Sequence, residues 1–352
     1  MKKVLGLALL CIFSSTGVYA LEVKFMIGDV TVIRGGTKIA SVNIGTAIRE
    51  NDTVITGKKS TVTMAYADGS EIKMQESAKL IIGRMPKGSD AAPICVAAGA
   101  VTTRFAKIAK GSDARRSVYT PTTVCAVRGT EFDVYVSDGG DSRVDLTEGS
   151  LDVHNPYGGQ QIEAGQNLEA GIAQSPAAAQ GDAAQWKADK DTQLSSDASG
   201  RGEAYDTYMK NFSSRGKANT KSIDGVGRKV KSAKDSAALE SSGKEIEGLA
   251  GSVEEDFYLS ATAGAAIEAI TDKFKSDKSD MYAKFLKLKE ESNRVKDQLR
   301  RNYEAIQAVR ESYRKAKDEI IGRQKEDAQK IKGAVDLQNV KPKIEKKPVK
   351  SE

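Results

Sequence analysis

The chain has 352 residues, with 54 Lys+Arg against 48 Asp+Glu, a single histidine and three cysteines. That length accommodates two domains, while one histidine and so few thiols leave little material for a zinc site or a histidine-based triad. Residues 177–352 carry 35 basic against 30 acidic side chains and residues 21–176 carry 17 against 18, and the interleaving of signs is unlike the clustered basic face of a nucleic-acid binder.

The first twenty residues read as an export signal. Lys2 and Lys3 precede an apolar run from Val4 to Phe13, and Val18-Tyr19-Ala20 places small residues around a cleavage point between Ala20 and Leu21. The run is too short to span a bilayer, which takes roughly twenty residues, and no later segment matches that need. The expectation is a periplasmic or secreted protein without a transmembrane span. A lipoprotein anchored at Cys11 is the alternative, opposed by the bulky Leu10 before it. Cleavage leaves Cys95 and Cys125. In an oxidising compartment the pair predicts one disulfide, worth roughly 3–4 kcal/mol by loop entropy, with two buried free thiols as the other reading.

From residue 21 to 176 the pattern predicts an all-β domain, a β-sandwich or a β-solenoid-like fold. Short β-branched runs such as Val54-Ile55-Thr56 and Val62-Thr63-Met64 end at turn signals, among them Asp68-Gly69, Asp138-Gly139-Gly140 and Tyr157-Gly158-Gly159. Gly28-Asp29-Val30, Gly99-Ala100-Val101 and Gly149-Ser150-Leu151 form a loose internal echo, each a glycine ahead of an alternating strand.

No proline occurs between Ala177 and Pro342. Residues 177–252 are expected to be linker and broken helices, because large apolar residues are sparse and Gly200, Gly202, Gly216, Gly225, Gly227 and Gly243 interrupt them. Residues 253–340 predict a long helical region. Between 285 and 323 a heptad register can be written whose seam includes Leu288, Val295, Leu299, Ile306 and Val309, with Ser292 and Asn302 as polar interruptions. The seam suits either a coiled coil, giving a weak homo-oligomer through 285–323, or one amphipathic helix folded back on its neighbours. Residues 341–352, rich in Lys, read as a disordered tail.

One stretch has the specificity of a family motif. Thr120-Pro121 is followed by Val127-Arg128-Gly129-Thr130-Glu131-Phe132-Asp133-Val134, then Val144-Asp145-Leu146 and Glu148-Gly149-Ser150-Leu151. With Asp68-Gly69 upstream and Ala164-Gly165-Gln166 downstream, these blocks resemble the FecR domain over about residues 26–170. The resemblance implies an extracytoplasmic β-domain that, in the namesake sensors, relays a signal to a sigma factor. Those sensors carry a cytoplasmic helical domain and a transmembrane helix ahead of it. With an export signal at the start of this chain, that anti-sigma activity is not expected. The residues themselves suit core and turn roles: Gly129 and Gly149 for tight backbone, Phe132 for the core, and Arg128 for an ion pair with Glu131 or for a partner-binding edge.

No G-x-S-x-G elbow or phosphate-binding loop is present, His154 reads as a loop residue, and Asp138 with Asp141 reads as a solvated turn. Neither enzyme activity nor a cofactor is expected. Two function classes remain: a non-catalytic binding, scaffold or envelope-signalling module for an envelope protein, and a carbohydrate- or cell-wall-binding protein with a hydrolytic variant.

Overall fold

A computed structural model describes residues 21–84, 92–107, 116–127, 129–276 and 280–338, with side chains described to residue 331. The export signal with Ala20 and Cys11, Arg128 and the Lys-rich tail lie outside the described residues.

Strands dominate the chain to residue 178. They are β1 (Leu21–Ile27), β2 (Val30–Arg34), β3 (Thr37–Lys38), β4 (Ala47–Ile48), β5 (Thr53–Thr56), β6 (Thr61–Ala65), β7 (Glu71–Met74), β8 (Lys79–Ile82) and β9 (Ile94–Arg104). There follow β10 (Arg116–Tyr119), β11 (Val124–Val127), β12 (Glu131–Val136), β13 (Ser142–Glu148), β14 (Ser150–Asn155), β15 (Gly158–Glu163), β16 (Asn167–Ala170) and β17 (Ala177–Ala178). They form two sheets in a sandwich whose strands cross between layers at tight corners. The front sheet runs β4-β1-β6-β7-β9-β12-β13-β16-β17 and the back sheet β3-β2-β5-β8-β9-β10-β11-β14-β15. Pairing is antiparallel except between β9 and β10. Across the front sheet Val62, Met74, Val101, Val134, Val144 and Leu168 stand in register. None is more than 1 % exposed, and burying each aliphatic side chain contributes about 1.5–3 kcal/mol.

Strand β9 belongs to both sheets. Ile94–Ala98 pairs with β8 and β10, and Gly99–Arg104 pairs with β7 and β12. The turn between layers falls at Gly99, with φ +82°, where an added Cβ would lie 2.5 Å from the Ala78 Cα. The internal echo has the same origin: Gly28 and Gly149 also take positive φ and also stand where the chain changes sheet.

The expected disulfide is corrected. Cys95 and Cys125 are free and buried. β10 stands between their strands, with Tyr119 opposite Cys95 and Val118 opposite Cys125. Two strand spacings amount to roughly 10 Å, against about 7 Å at most for bridged Cα atoms. The thiols also face opposite ways, Cys125 into the sandwich core and Cys95 toward the Thr262 hydroxyl. Burial pushes each thiol up to about 12.

Four helices follow: α1 (Ala183–Ser196), α2 (Ala198–Ser232), α3 (Ser236–Phe274) and α4 (Asp280–Gln338). Asp182 caps α1 by accepting from the Ala184 and Gln185 amides. The broken helices expected over 177–252 are corrected: α2 runs unbroken through five glycines, and α3 begins at Ser236 rather than near residue 253. Two of the glycines expected to interrupt them are close-approach points. A Cβ at Gly216 would lie 2.9 Å from a Leu299 methyl, and one at Gly243 would lie 2.5 Å from the Tyr313 hydroxyl. No described helix is long and apolar enough to cross a membrane.

By contacts the chain divides into two compact units. The first comprises the chain up to Phe212 with Phe257–Asp297; the second comprises Ser213–Asp256 with the chain from Gln298 onward. A boundary at residue 176 therefore does not isolate the β-domain, because helical segments close over its back sheet. The Tyr258 ring packs tilted against that of Tyr119, centroids 5.0 Å apart, and its hydroxyl donates to the Arg84 carbonyl. The Asp138–Asp141 turn is gripped rather than solvated: Asp141, 4 % exposed, takes both nitrogens of Arg201 at 2.8 and 2.6 Å, and Tyr205 donates to the Gly139 carbonyl.

In the second unit α4 lies on α2 and α3. Asn302 donates to the Gly216 carbonyl and accepts from Thr220, while Leu299 and Ile306 are fully buried and Val309 half-buried. Leu288 and Val295 are likewise buried in the first unit. The heptad seam is thus filled within the chain, which corrects the coil-based homo-oligomer through 285–323: a second copy would have to displace α2 and α3. Asp256, 0 % exposed, is met by Arg215 and Asn219, and burial raises its carboxyl against their opposing effect.

Two outcomes check this fold. A chain beginning at Leu21, isolated without reductant, should show no titratable thiol while folded and two after denaturation; none after denaturation would restore the bridge. Gly99→Ala should lower stability by about 2–4 kcal/mol, read as a drop in urea midpoint at unchanged slope.

Candidate binding site at the motif end of the sandwich

Every strand of the front sheet from β6 to β16 has one end at a common rim. There the chain makes the β6–β7 turn, leaves β9, enters β10, and crosses between sheets at Gly129, Gly149 and Gly165. The turn Tyr66–Ser70 closes as the sequence anticipates. Gly69 donates to the Tyr66 carbonyl, Ser70 donates to the Asp68 carboxylate at 2.9 Å, and Gly69 holds φ +84°.

At the centre of this end lies Arg116, the first residue of β10, only 6 % exposed. Its guanidinium donates to Asp68 Oδ2 and Ser70 Oγ. Its charge sits 5.4 Å from the Tyr66 ring and 5.3 Å from the Phe105 ring, a cation held between two aromatic faces. Ser70 Oγ also accepts from the Ala106 amide, and the Phe105 amide donates to the Thr130 carbonyl. Phe132 packs below, 6.3 Å from Phe105. The guanidinium therefore ties the β6–β7 turn to the segment leaving β9, and the Phe105 amide ties that segment to the one entering β12. Burial raises the Asp68 carboxyl, but the Ser70 amide and the Arg116 guanidinium together hold it below the usual carboxylate range. Burial pushes the Tyr66 hydroxyl up to about 12 against the pull of Arg116.

Outside this knot lies an exposed rim of charge. Arg104 meets Glu131 at 2.9 Å and Glu71 at 3.9 Å, and Lys107 meets Glu148 at 3.6 Å. A Cβ on Gly129 would strike Lys107, and one on Gly149 would strike Thr130. The structure thus brings Asp68, Gly69, Gly129, Thr130, Glu148 and Gly149 to one end of the sandwich, with Phe132 in the core beneath. Arg128 lies outside the described residues, and Glu131 takes Arg104 as its partner. Leu21, the expected mature N-terminus, is the first residue of β1.

Residues 52–152 match the family model described as FecR protein. The chain carries a FecR domain. The match begins at buried Asp52, just before β5, and ends inside β14, less than a third of the chain. It contains the whole Arg116 knot and leaves out β1 to β4. Two crystal structures of a candidate anti-sigma factor from Parabacteroides distasonis are similar to this chain at 15 % identity, with TM-scores of 0.32 and 0.31. Each match covers 39 % of this chain and 62 or 63 % of the other, so the chain spans under two thirds of those proteins. No curated protein matches it.

The FecR domain's chemistry at this end is charge and hydrogen bonding. Among the described residues no group of three or more His, Cys, Asp or Glu side chains could hold a metal. His154, expected in a loop, is a half-buried residue of β14 opposite Gly159, where a Cβ would lie 2.4 Å from its own. Arg116 and Phe105 carry no signal in the sequence, whereas Tyr66 and Ser70 belong to the family block around Asp68-Gly69. Arg116 follows directly on Arg115, and nothing in that charged stretch marks Arg116 as a residue that turns inward.

The lowered Asp68 value fixes a sign. A carboxylate with a depressed folded pKa stabilises the fold above its unfolded value of about 3.9 and loses that contribution as pH falls through the folded value. Asp68→Asn removes that contribution, so it should move the acid unfolding midpoint to higher pH and leave the shape of the curve above pH 5 unchanged. Arg116→Met should lower stability by about 2–4 kcal/mol at neutral pH, read by denaturant titration.

Proposed function

We propose that this chain is an exported, non-catalytic binding module of the cell envelope, with a FecR domain that docks a protein partner through the motif end of its sandwich. The observation that carries this reading is the contrast between the two ends of the β-domain. At one end the Asp138–Asp141 turn is closed by Arg201, Tyr205 and Lys187. At the other, among the described residues Arg104 meets Glu131 and Glu71, Lys107 meets Glu148, and the side chains of Arg104, Lys107 and Glu148 remain exposed at 61, 81 and 65 %. Exposed pairs of this kind contribute about 0–1 kcal/mol, so a partner exchanges them at little cost. The Arg116 knot holds the rim rigid, which limits the entropy lost on docking.

Placement in the periplasm or outside the cell is part of the proposal. It is supported by Lys2 and Lys3, the apolar run to Phe13, and Val18-Tyr19-Ala20. On this reading the helices act as scaffold, and a signalling role agrees with the family match.

Affinity capture from envelope extract tests it. The chain purified from the envelope should begin at Leu21 and retain one protein that an Arg104→Glu, Lys107→Glu variant loses, with both chains melting at the same temperature. An intact Met1, or capture indifferent to those charges, would overturn it.

A further inference from the structure

Strand β1 starts as a regular core strand, with Leu21 and Val23 buried at 2 and 0 % exposure. Unbroken alternation would carry Phe25 and Ile27 inward as well. Instead the register against β6 slips: Val23 stands opposite Met64, and Phe25 opposite the very next residue, Thr63. This bulge hands the inward place to Met26, which packs against the core, and turns Phe25 and Ile27 out to 47 and 54 % exposure. A one-residue slip exchanges the two faces of a strand, and bulges recur where a side chain is re-aimed.

The outer edge of the same strand is open. β4 pairs only with Leu21 and Glu22, and Val23 bonds to Gly45 and Thr46. From Lys24 to Ile27 that edge makes no backbone hydrogen bond among the described residues. Ile44, 67 % exposed, flanks it beside Gly45. An exposed apolar edge of this kind is a pairing template. The far edge of the back sheet, β15, differs: Gly158-Gly159-Gln160-Gln161 is polar and exposed.

We propose that the β1 edge pairs antiparallel with the β1 edge of a second copy. The strip is self-complementary. A two-fold axis at Met26 sets Phe25 opposite Ile27 of the second copy, twice over, and sets Lys24 opposite Gly28, so no like charges face each other. It is also neutral: Lys24 is already paired with Glu22 at 2.9 Å, leaving no net charge to draw a charged peptide. The strip lies outside the matched residues 52–152, so this inference is independent of the partner proposed for the motif end. Few residues take part, short of the roughly 1,600 Å² of a standard interface. The dissociation constant is therefore expected on the order of tens of micromolar.

Sedimentation equilibrium of the mature chain over a micromolar-to-millimolar series should show a monomer–dimer equilibrium. Phe25→Lys with Ile27→Lys should weaken it at least tenfold without changing the circular dichroism spectrum or melting temperature, since both side chains are exposed. Independently, Phe25→Cys with Ile27→Cys should give a disulfide-linked dimer on mild oxidation, a readout that survives if the lysine variant misfolds. A native chain that stays monomeric throughout, a lysine variant that folds and keeps the dimer mass, or a cysteine variant that yields no linked dimer would each overturn the proposal. So would a monomeric chain whose β1 edge instead takes an extended segment of a different protein.

Discussion

Strand β9 is shared by both sheets, and the turn it makes between them sets the spacing of every strand attached to it. Face-to-face sheets lie about 10 Å apart, so the chain must change layer within one or two residues. Gly99 does this, and the neighbouring strands repeat the manoeuvre around it. β7 passes to β8 through Ser77 and Ala78, β5 to β6 through Gly57, and β1 to β2 through Gly28. These corners are stacked on one another: Gln75 donates to the Ala100 carbonyl, Ser77 to that of Gly57, and Gly57 to that of Asp29. Each corner satisfies backbone groups that the next would otherwise leave unpaired, at about 1–3 kcal/mol each if buried. The result is a sandwich with solenoid-like corners, which accommodates both architectures suggested by the strand pattern.

The two ends of this frame use charge differently. At the Asp138–Asp141 turn the Arg201–Asp141 pair is nearly buried, with side-chain exposures of 13 and 4 %. Such a pair loses hydration on both sides and persists only with complete, directional bonding. The fork of Arg201 on both carboxylate oxygens supplies it, and so fixes where α2 meets the sheet. At the motif end the buried cation is Arg116, and its neutralising partner Asp68 remains partly exposed. The guanidinium there relies on the Tyr66 and Phe105 faces as well as on the carboxylate, and it stiffens a rim whose outer pairs are solvated.

What was legible in the sequence was whatever follows from local periodicity. The strand pattern, the Asp68-Gly69 turn, the family blocks and the glycine echo all correspond to features of the β-domain. Local periodicity does not determine which face or layer a residue takes. Two cysteines thirty residues apart read as a bridge until β10 is seen between them. Leu21, Val23, Phe25 and Ile27 alternate without fault, and only the slip against β6 turns the last two outward. Arg116 is indistinguishable in sequence from Arg115, because its role depends on the β6–β7 turn, more than forty residues away in the chain.

The helical half shows why a seam alone does not define its partner. The spacing of Leu288, Val295, Leu299 and Ile306 is common to a two-chain coil and to a helix lying on its own neighbours. A knob, however, needs a hole. Gly216 receives Leu299 and Gln298, Gly227 lies against Val309, and Gly243 receives Tyr313. The polar seam residues are answered in the same way: Asn302 meets the Gly216 carbonyl, and Gly264 lies against Ser292. Taken singly, the glycines look like helix breakers and the polar seam residues like flaws in a coil. Taken together they are complementary surfaces of one chain, and side-chain packing repays the roughly 1 kcal/mol by which each helical glycine falls short of alanine. Past Ile320 the described neighbours end, and α4 is exposed through residue 331. That is the behaviour expected of a helix ordered by tertiary packing, with its buried face ending where its complement ends.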